Sequence, residues 1–288
     1  MKNKDVIAAI LAYHPDLPGY DGCDDYKCGD PEAECTGVVS AMVASVGVVR
    51  EAARLGCNLI IVHEPTFYTT PDFPDWRGGF ENRIYQEKLD LLNSHGITIW
   101  RNHDHMHTHE PDTIFSGVIR ELGWEPYLQP GEPADMMFKF ALPPTTVRDV
   151  ESQLVAKLGL NGARRIGDPD AVVQQVAIVG HLFPDAHGGS GMRPDGTYHE
   201  YATAVMRAME SGVELIIPGE VVEWTVLSYI RDAVQLGHTK AMLSLGHFSM
   251  EELGMKTFAD TLRTLLPSTV PVHYVPSGDI YDYSLARK

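Results

Sequence analysis

Four histidines on alternate residues, His103, His105, His107 and His109, stand in residues 101–110 together with Asp104 and Glu110. Neutral imidazole is the commonest ligand of transition metals, and carboxylate is its usual partner. The chemistry this run offers is therefore metal coordination. A short β-type stretch, Gly96-Ile97-Thr98-Ile99-Trp100, precedes it, which puts the histidines at the C-terminal end of a strand. If the chain stays extended, a period of two points all four to one side. His103 and His107 also have the i, i+4 separation of one helical face. Taken alone, the run reads equally as a polar loop in which one or two histidines bind nothing.

Two more segments carry the same residue types. His63-Glu64-Pro65 follows the compact apolar strand of residues 58–62, and Gly246-His247-Phe248-Ser249-Met250-Glu251 follows a strand at 239–245. His247 and Glu251 are i and i+4, so a helix beginning there gives them one face. Its first turn is where a carboxylate suits the helix dipole. In open α/β sheets, ligands gather outside the carboxyl ends of strands. Singly, His-Glu-Pro reads as a turn and Gly-His as a helix cap. Three strand ends delivering imidazole and carboxylate together favour a metal site.

The elements that must position these segments alternate. Helical spacing covers residues 5–13, followed by a Pro, Gly and Asp-rich loop at 15–34. A β-like run at 37–44, a helix at 47–55, the strand at 58–62, a loop at 69–79, a helix at 80–94 and a strand at 97–100 lead into the histidines. A helix at 112–122 and a linker at 123–133 close this first series. The second series has strand 136–141, helix 147–158, strand 172–179, a Gly-rich loop at 180–196 and helix 198–209. Strand 213–217, helix 221–235, strand 239–245, a helix to about 266 and strand 270–275 complete it. Strands alternating with helices predict α/β architecture with mostly parallel sheets. The expected divisions are 1–125, 126–245 and a closing segment 246–288 that carries the last ligands.

Acidic residues outnumber basic ones, 39 to 23, for a formal charge of −16. This disfavours nucleic-acid phosphate or an anionic membrane as the main partner. The N-terminus lacks a signal-peptide pattern and no apolar run approaches membrane-spanning length, so a cytoplasmic protein is expected. Cys23, Cys28, Cys35 and Cys57 lack the two-residue gap of zinc ribbons and redox motifs; the first three, in a loop-like stretch, could make a site but read first as free thiols, with Cys57 in the core. In the loop at 180–196, Gly188-Gly189-Ser190-Gly191 with Arg193 could receive an anionic group, or serve as a plain connection.

Several stretches together resemble one family. Cys28-Gly29-Asp30-Pro31 with Thr36-Gly37-Val38 resembles a Gly-Asp-Pro stretch before a first strand. Residues 52–65 resemble a strand leading into His-His-Pro. Pro218-Gly219-Glu220 resembles a Thr-Gly-Glu/Asp segment, and residues 246–251 resemble Gly-His-x-x-x-Glu. The chain is thus similar to the NGG-interacting factor three-like proteins, also called dinuclear metal-centre or YbgI-type proteins.

The resemblance implies two similar α/β lobes, two divalent metal ions in the cleft between them, and a homohexameric ring. By position, the family's ligands fall on His63, Glu64, His103, His107, His247 and Glu251. Glu64 stands where the family has the second His of His-His-Pro, and His107 where it has Asp. The exchange keeps four imidazoles and two carboxylates, a mixed donor set that suits Zn, Fe, Mn or Ni. The implied activity is metal-dependent hydrolysis of an unknown small-molecule substrate. The alternative is a non-catalytic protein for metal binding, metal delivery or interaction.

Overall fold

The structure is a computed structural model that describes residues 1–70, 72, 79–130, 136–184, 186–187 and 189–284. The chain forms two compact units, one of residues 1–118 with 251–277 and one of residues 119–250 with 278–288.

The first unit opens with helix α1 (Asn3–Tyr13). Its sheet holds strands β1 (Tyr26–Cys28), β2 (Val38–Ala41), β3 (Leu59–Val62) and β4 (Thr98–Arg101). A last strand from near the C-terminus (Val272–Tyr274) pairs in parallel on the outer side of β2. Across the sheet, β1, β4, β3 and β2 lie side by side; β3 pairs in parallel with both β2 and β4. Every residue of β2, β3 and β4 is buried, as expected of parallel strands covered on both faces. Helix α2 (Val46–Arg54) starts where the Ser45 hydroxyl accepts from the Val48 N–H, and α3 (Arg83–Ser94) where the Asn82 side chain accepts from the Tyr85 N–H. These caps satisfy donors a helix cannot satisfy itself. Helices α4 (Asp104–His107) and α5 (Thr113–Leu122) follow β4.

The second unit holds β5 (Met137–Thr146), α6 (Val147–Leu158), β6 (Arg164–Ile166) and β7 (Val172–Val179). After these come β8 (Gly191–Met192), β9 (Tyr198–His199), α7 (Tyr201–Glu210), β10 (Leu215–Pro218), α8 (Val226–Gln235) and β11 (Ala241–Ser244). The sheet order is β5, β7, β10, β11, β6. Helix α9 (His247–Leu265) follows β11, and the strand at Val272–Tyr274 is β12.

The α/β class with mostly parallel central strands is what the alternation predicts, but three edge strands run antiparallel: β1 on β4, β5 on β7 and β6 on β11. The expected loop at 15–34 contains β1, whose three residues are too few to show a period. The expected helix at 198–209 begins three residues late, because Tyr198 and His199 pair with Gly191 and Met192 in a small hairpin. In the Gly-rich loop, Gly188 lies outside the described residues, as do parts of the expected loop at 69–79 and of the linker at 123–133. No helix among the described residues is long and apolar enough to cross a membrane.

Candidate metal centre

The histidine run does not stay extended. The strand ends at Arg101, and residues 104–107 coil into α4. The cause is Asp24, a buried residue about eighty positions away. Its Oδ1 accepts from the backbone N–H of His103 at 2.6 Å and of Asp104 at 3.1 Å. Its Oδ2 accepts from the His105 N–H at 3.0 Å and from the His105 ring Nδ1 at 2.8 Å. One carboxylate thus satisfies the donors that a helix start leaves bare. Alternate histidines then diverge. His103 and His107 share one face, with ring centroids 4.8 Å apart. His105 turns to Asp24 and Tyr20, and His109 stacks on Tyr13 with its Nε2 on the Tyr13 carbonyl.

His63 stands at the end of β3, fully buried, stacked on His103 with centroids 4.5 Å apart. Its Nε2 lies 3.1 Å from His107 Nε2 and 3.3 Å from Glu251 Oε2. Glu64 places Oε1 3.9 Å from His103 Nε2. Helix α9 delivers Glu251 because its backbone approaches α5 closely. A Cβ on Gly254 would lie 2.7 Å from the Ile114 carbonyl oxygen, and one on Gly117 would lie 2.9 Å from the Gly254 Cα.

Tautomers decide what these nitrogens can do. His63 Nδ1 donates to the Asn102 carbonyl at 3.2 Å, and His107 Nδ1 donates to Asp112 Oδ2 at 2.7 Å. With a proton on each Nδ1, both Nε2 atoms carry lone pairs, and these face one another beside the Glu251 carboxylate. In that neutral state the pair suits a cation, whereas a proton on one Nε2 bridges the two rings. Two nitrogens about 2.0–2.1 Å from one ion stand about 2.9 Å apart at a right angle and about 3.4 Å apart at the tetrahedral angle. The 3.1 and 3.3 Å separations fall inside that range. The donor set therefore fits a transition ion.

Asp112, Asp24 and Arg101 are the supporting residues that motif reading missed. Asp112 caps α5 through Oδ1, which accepts from the Phe115 N–H at 2.9 Å, while its other oxygen orients His107. An Asp just before a helical stretch was the available signal. Arg101 donates to the His63 carbonyl at 3.0 Å, to the Thr70 carbonyl at 2.9 Å and to Glu64 Oε2 at 3.4 Å. It fixes the Glu64 carboxylate and offsets its charge.

Burial pushes the His63 pKa down to about 4, and the neighbouring His103 adds to this against the Glu251 hydrogen bond. Burial also lowers His107, but the bond to Asp112 and the charges of Asp112, Glu251 and Glu64 outweigh it, so His107 ends raised. Asp104 is held well below the carboxylate range, chiefly by its hydrogen bond to His103.

Of the six residues singled out in the sequence, His63, Glu64, His103, His107 and Glu251 come together in the first unit. The ligand atoms offered by His63, His103 and His107 lie within 4.8 Å of one another, as do those of His63, Glu64 and Glu251. In the second unit, His247 has Nδ1 3.5 Å from Glu220 Oε1 and its ring edge-on to His181. His247 is one helical turn before Glu251 in α9. The second unit also has a cavity of about 280 Å³ at the ends of β10 and β11, lined by Arg164, Ser244, His247, Phe248, Tyr281 and Tyr283 among others.

Comparison with known proteins agrees with this fold. A curated relative from Clostridium perfringens, named as a GTP cyclohydrolase 1 type 2 homolog, is 23% identical over 252 residues, covering 84% of this chain and 83% of the relative. The crystal structure of a Bacillus cereus protein related to NIF3 superposes with a TM-score of 0.68 at 13% identity, over 99% of both chains. A protein named ybgI, of unknown function, gives a TM-score of 0.62 at 21% identity, over 98% of this chain and 99% of its own. The family model described as Duf34/NIF3 (NGG1p interacting factor 3) matches residues 26–278, and the chain belongs to that family.

Proposed function

We propose that this protein is a two-metal hydrolase acting on a small molecule. The observation that carries the reading is the pair of imidazole nitrogens, His63 Nε2 and His107 Nε2, held 3.1 Å apart with Glu251 Oε2 3.3 Å from the first. His63, His107 and Glu251 would hold one divalent ion, and Glu64 with His103 would serve a neighbouring position. Zn, Fe, Mn and Ni all suit this nitrogen and oxygen set. Two such ions supply Lewis acidity, lowering the pKa of water and polarising a substrate oxygen. The chain's own residues do the rest. Asn102 and Asp112 keep the two Nδ1 protons in place, so that each Nε2 stays a donor of electrons. Arg101 directs the Glu64 carboxylate and offsets its charge. The name of the Clostridium relative makes cyclic amides a first class to screen beside phosphoesters. We place the protein in the cytoplasm as a closed homo-oligomer, with a hexamer as the first expectation.

The test is elemental analysis of protein purified without added metal, followed by hydrolysis assays of wild type and Glu251→Gln. The expected result is close to two divalent ions per chain, and turnover that is lost with the metal in the variant. Metal bound without turnover on any substrate class would favour the metal-delivery reading. No metal even after reconstitution would remove the proposal.

A further inference from the structure

The inner cluster uses one edge of the His103 ring; the other edge faces a different set of atoms. His103 Nδ1 lies 2.8 Å from Asp104 Oδ1, and Cys23 Sγ lies 3.5 Å from that same oxygen. The ligand atoms of Cys23, His103 and Asp104 all lie within 4.8 Å of one another. We propose that Cys23, His103 and Asp104 form a second, outer site for a thiophilic divalent cation such as Zn²⁺.

The distances support it. A sulfur about 2.3 Å and an oxygen about 2.1 Å from one tetrahedral ion stand about 3.6 Å apart, against 3.5 Å for Cys23 Sγ and Asp104 Oδ1. The nitrogen and oxygen would stand about 3.4 Å apart, so the His103–Asp104 hydrogen bond must open by roughly 0.6 Å. The three side chains are partly exposed, His103 at 26% and Asp104 at 34%, whereas His63 is at 0% and Glu251 at 4%; an ion reaches the outer group directly from solvent. A further carboxylate oxygen, Asp24 Oδ1, lies 3.7 Å from Cys23 Sγ. The neighbouring Gly22 packs directly on this group: a Cβ there would overlap Asp104 Oδ2 and the Tyr20 hydroxyl. Tyr20 donates to Asp104 Oδ2 at 2.6 Å and accepts from the Asp24 N–H at 2.7 Å, which holds the carboxylate in place. Without a metal, the thiol simply donates to Asp104. That bond accounts for Cys23 alone; it leaves unexplained why a thiol, an imidazole nitrogen and a carboxylate converge.

Binding balances without redox chemistry. The ion forms bonds to sulfur, nitrogen and oxygen, and the Cys23 thiol proton goes to solvent. The His103 Nδ1 proton moves to Nε2, on the side of Glu64. A neutral His103 therefore serves one site at a time, and filling the outer site withdraws it from the inner cluster. Cys23 and Asp104 lie outside the inner ligand set, so this inference does not depend on the hydrolase reading.

The experiment is titration of the metal-free full chain with Co²⁺, reading the near-ultraviolet thiolate-to-cobalt charge-transfer band. The band is expected in wild type, absent in Cys23→Ser, and at least about tenfold weaker in cobalt affinity in Asp104→Asn, since a ligand is lost. Proton release on saturation should fall by about one proton per chain in Cys23→Ser. Glu251→Gln, which weakens the inner cluster's claim on His103, should keep or strengthen the band. No band in wild type at saturating Co²⁺, or one that persists in Cys23→Ser, overturns the outer site. Should Cys23→Ser fail to fold, wild type and Asp104→Asn still decide: equal cobalt affinity in the two overturns it.

Discussion

Asp112→Asn separates the two tasks of one carboxylate. Asp112 Oδ1 caps α5 on the Phe115 N–H, and Oδ2 holds the Nδ1 proton of His107. An asparagine keeps the capping oxygen but turns an NH₂ toward His107 Nδ1. That nitrogen must then accept, so the ring proton shifts to Nε2, which faces His63 Nε2 at 3.1 Å. A protonated nitrogen cannot ligate. Loss of such a supporting bond typically lowers metal affinity 10- to 100-fold, or about 1.4–2.7 kcal/mol. The metal-free protein should hardly notice. Its cap survives, and the displaced proton gains His63 Nε2 as an acceptor. Asp112→Ala, by contrast, removes the cap as well and should cost about 1 kcal/mol of metal-free stability. Chelator-competition titration and urea unfolding of the metal-free forms measure the two effects separately. Wild-type metal affinity in Asp112→Asn would refute the tautomer argument. Equal metal-free stability of the Asn and Ala variants would refute the capping argument.

Acidification of the metal-free protein should destabilise it between pH 6.5 and about 4. Burial lowers both His63 and His14 to about 4, so the unfolded chain binds more protons in that window and stability rises with pH across it. The drop at His63 is worth on the order of 3 kcal/mol. His107, raised by Asp112, opposes this, contributing stability at low pH that fades as pH rises through its folded value. Urea unfolding from pH 4 to 8 checks the sum, and a flat profile would contradict it. The paired substitutions Glu64→His and His107→Asp should be non-additive in metal affinity, by about 0.5–3 kcal/mol, because both residues reach the same imidazole cluster. Additive effects in the double-mutant cycle would mean that the two positions do not share a metal network.

The strand ends were readable because each combines an apolar run with a polar stop. Leu59–Val62 running into His63-Glu64, and Thr98–Arg101 running into the histidines, announce themselves by composition. The turn of α4 was not readable, because the group that bends it, Asp24, sits 79–81 positions away in a loop. Local spacing offered two periods for the same four histidines, and only the distant carboxylate selects the helical one. The antiparallel edges β1 and β6 escaped for a different reason: three residues carry no period, and edge pairing is a tertiary choice. Asp112 lay in plain view as a cap residue, yet its second oxygen could be assigned only once His107 was placed.

The contact of α5 with α9 has a consequence for how this centre can change over time. Gly117 and Gly254 bring two backbones together, with the Thr257 hydroxyl and the Ile114 side chain filling what space is left. Asp112, five residues before one glycine, and Glu251, three before the other, are therefore mounted on a joint with no slack. A single methyl at either glycine would act as a shim, lifting Glu251 away from His63 without altering any ligand. The position of the Glu251 carboxylate is thus set from positions that are not themselves candidate ligands, and the thickness of one residue sets the gauge.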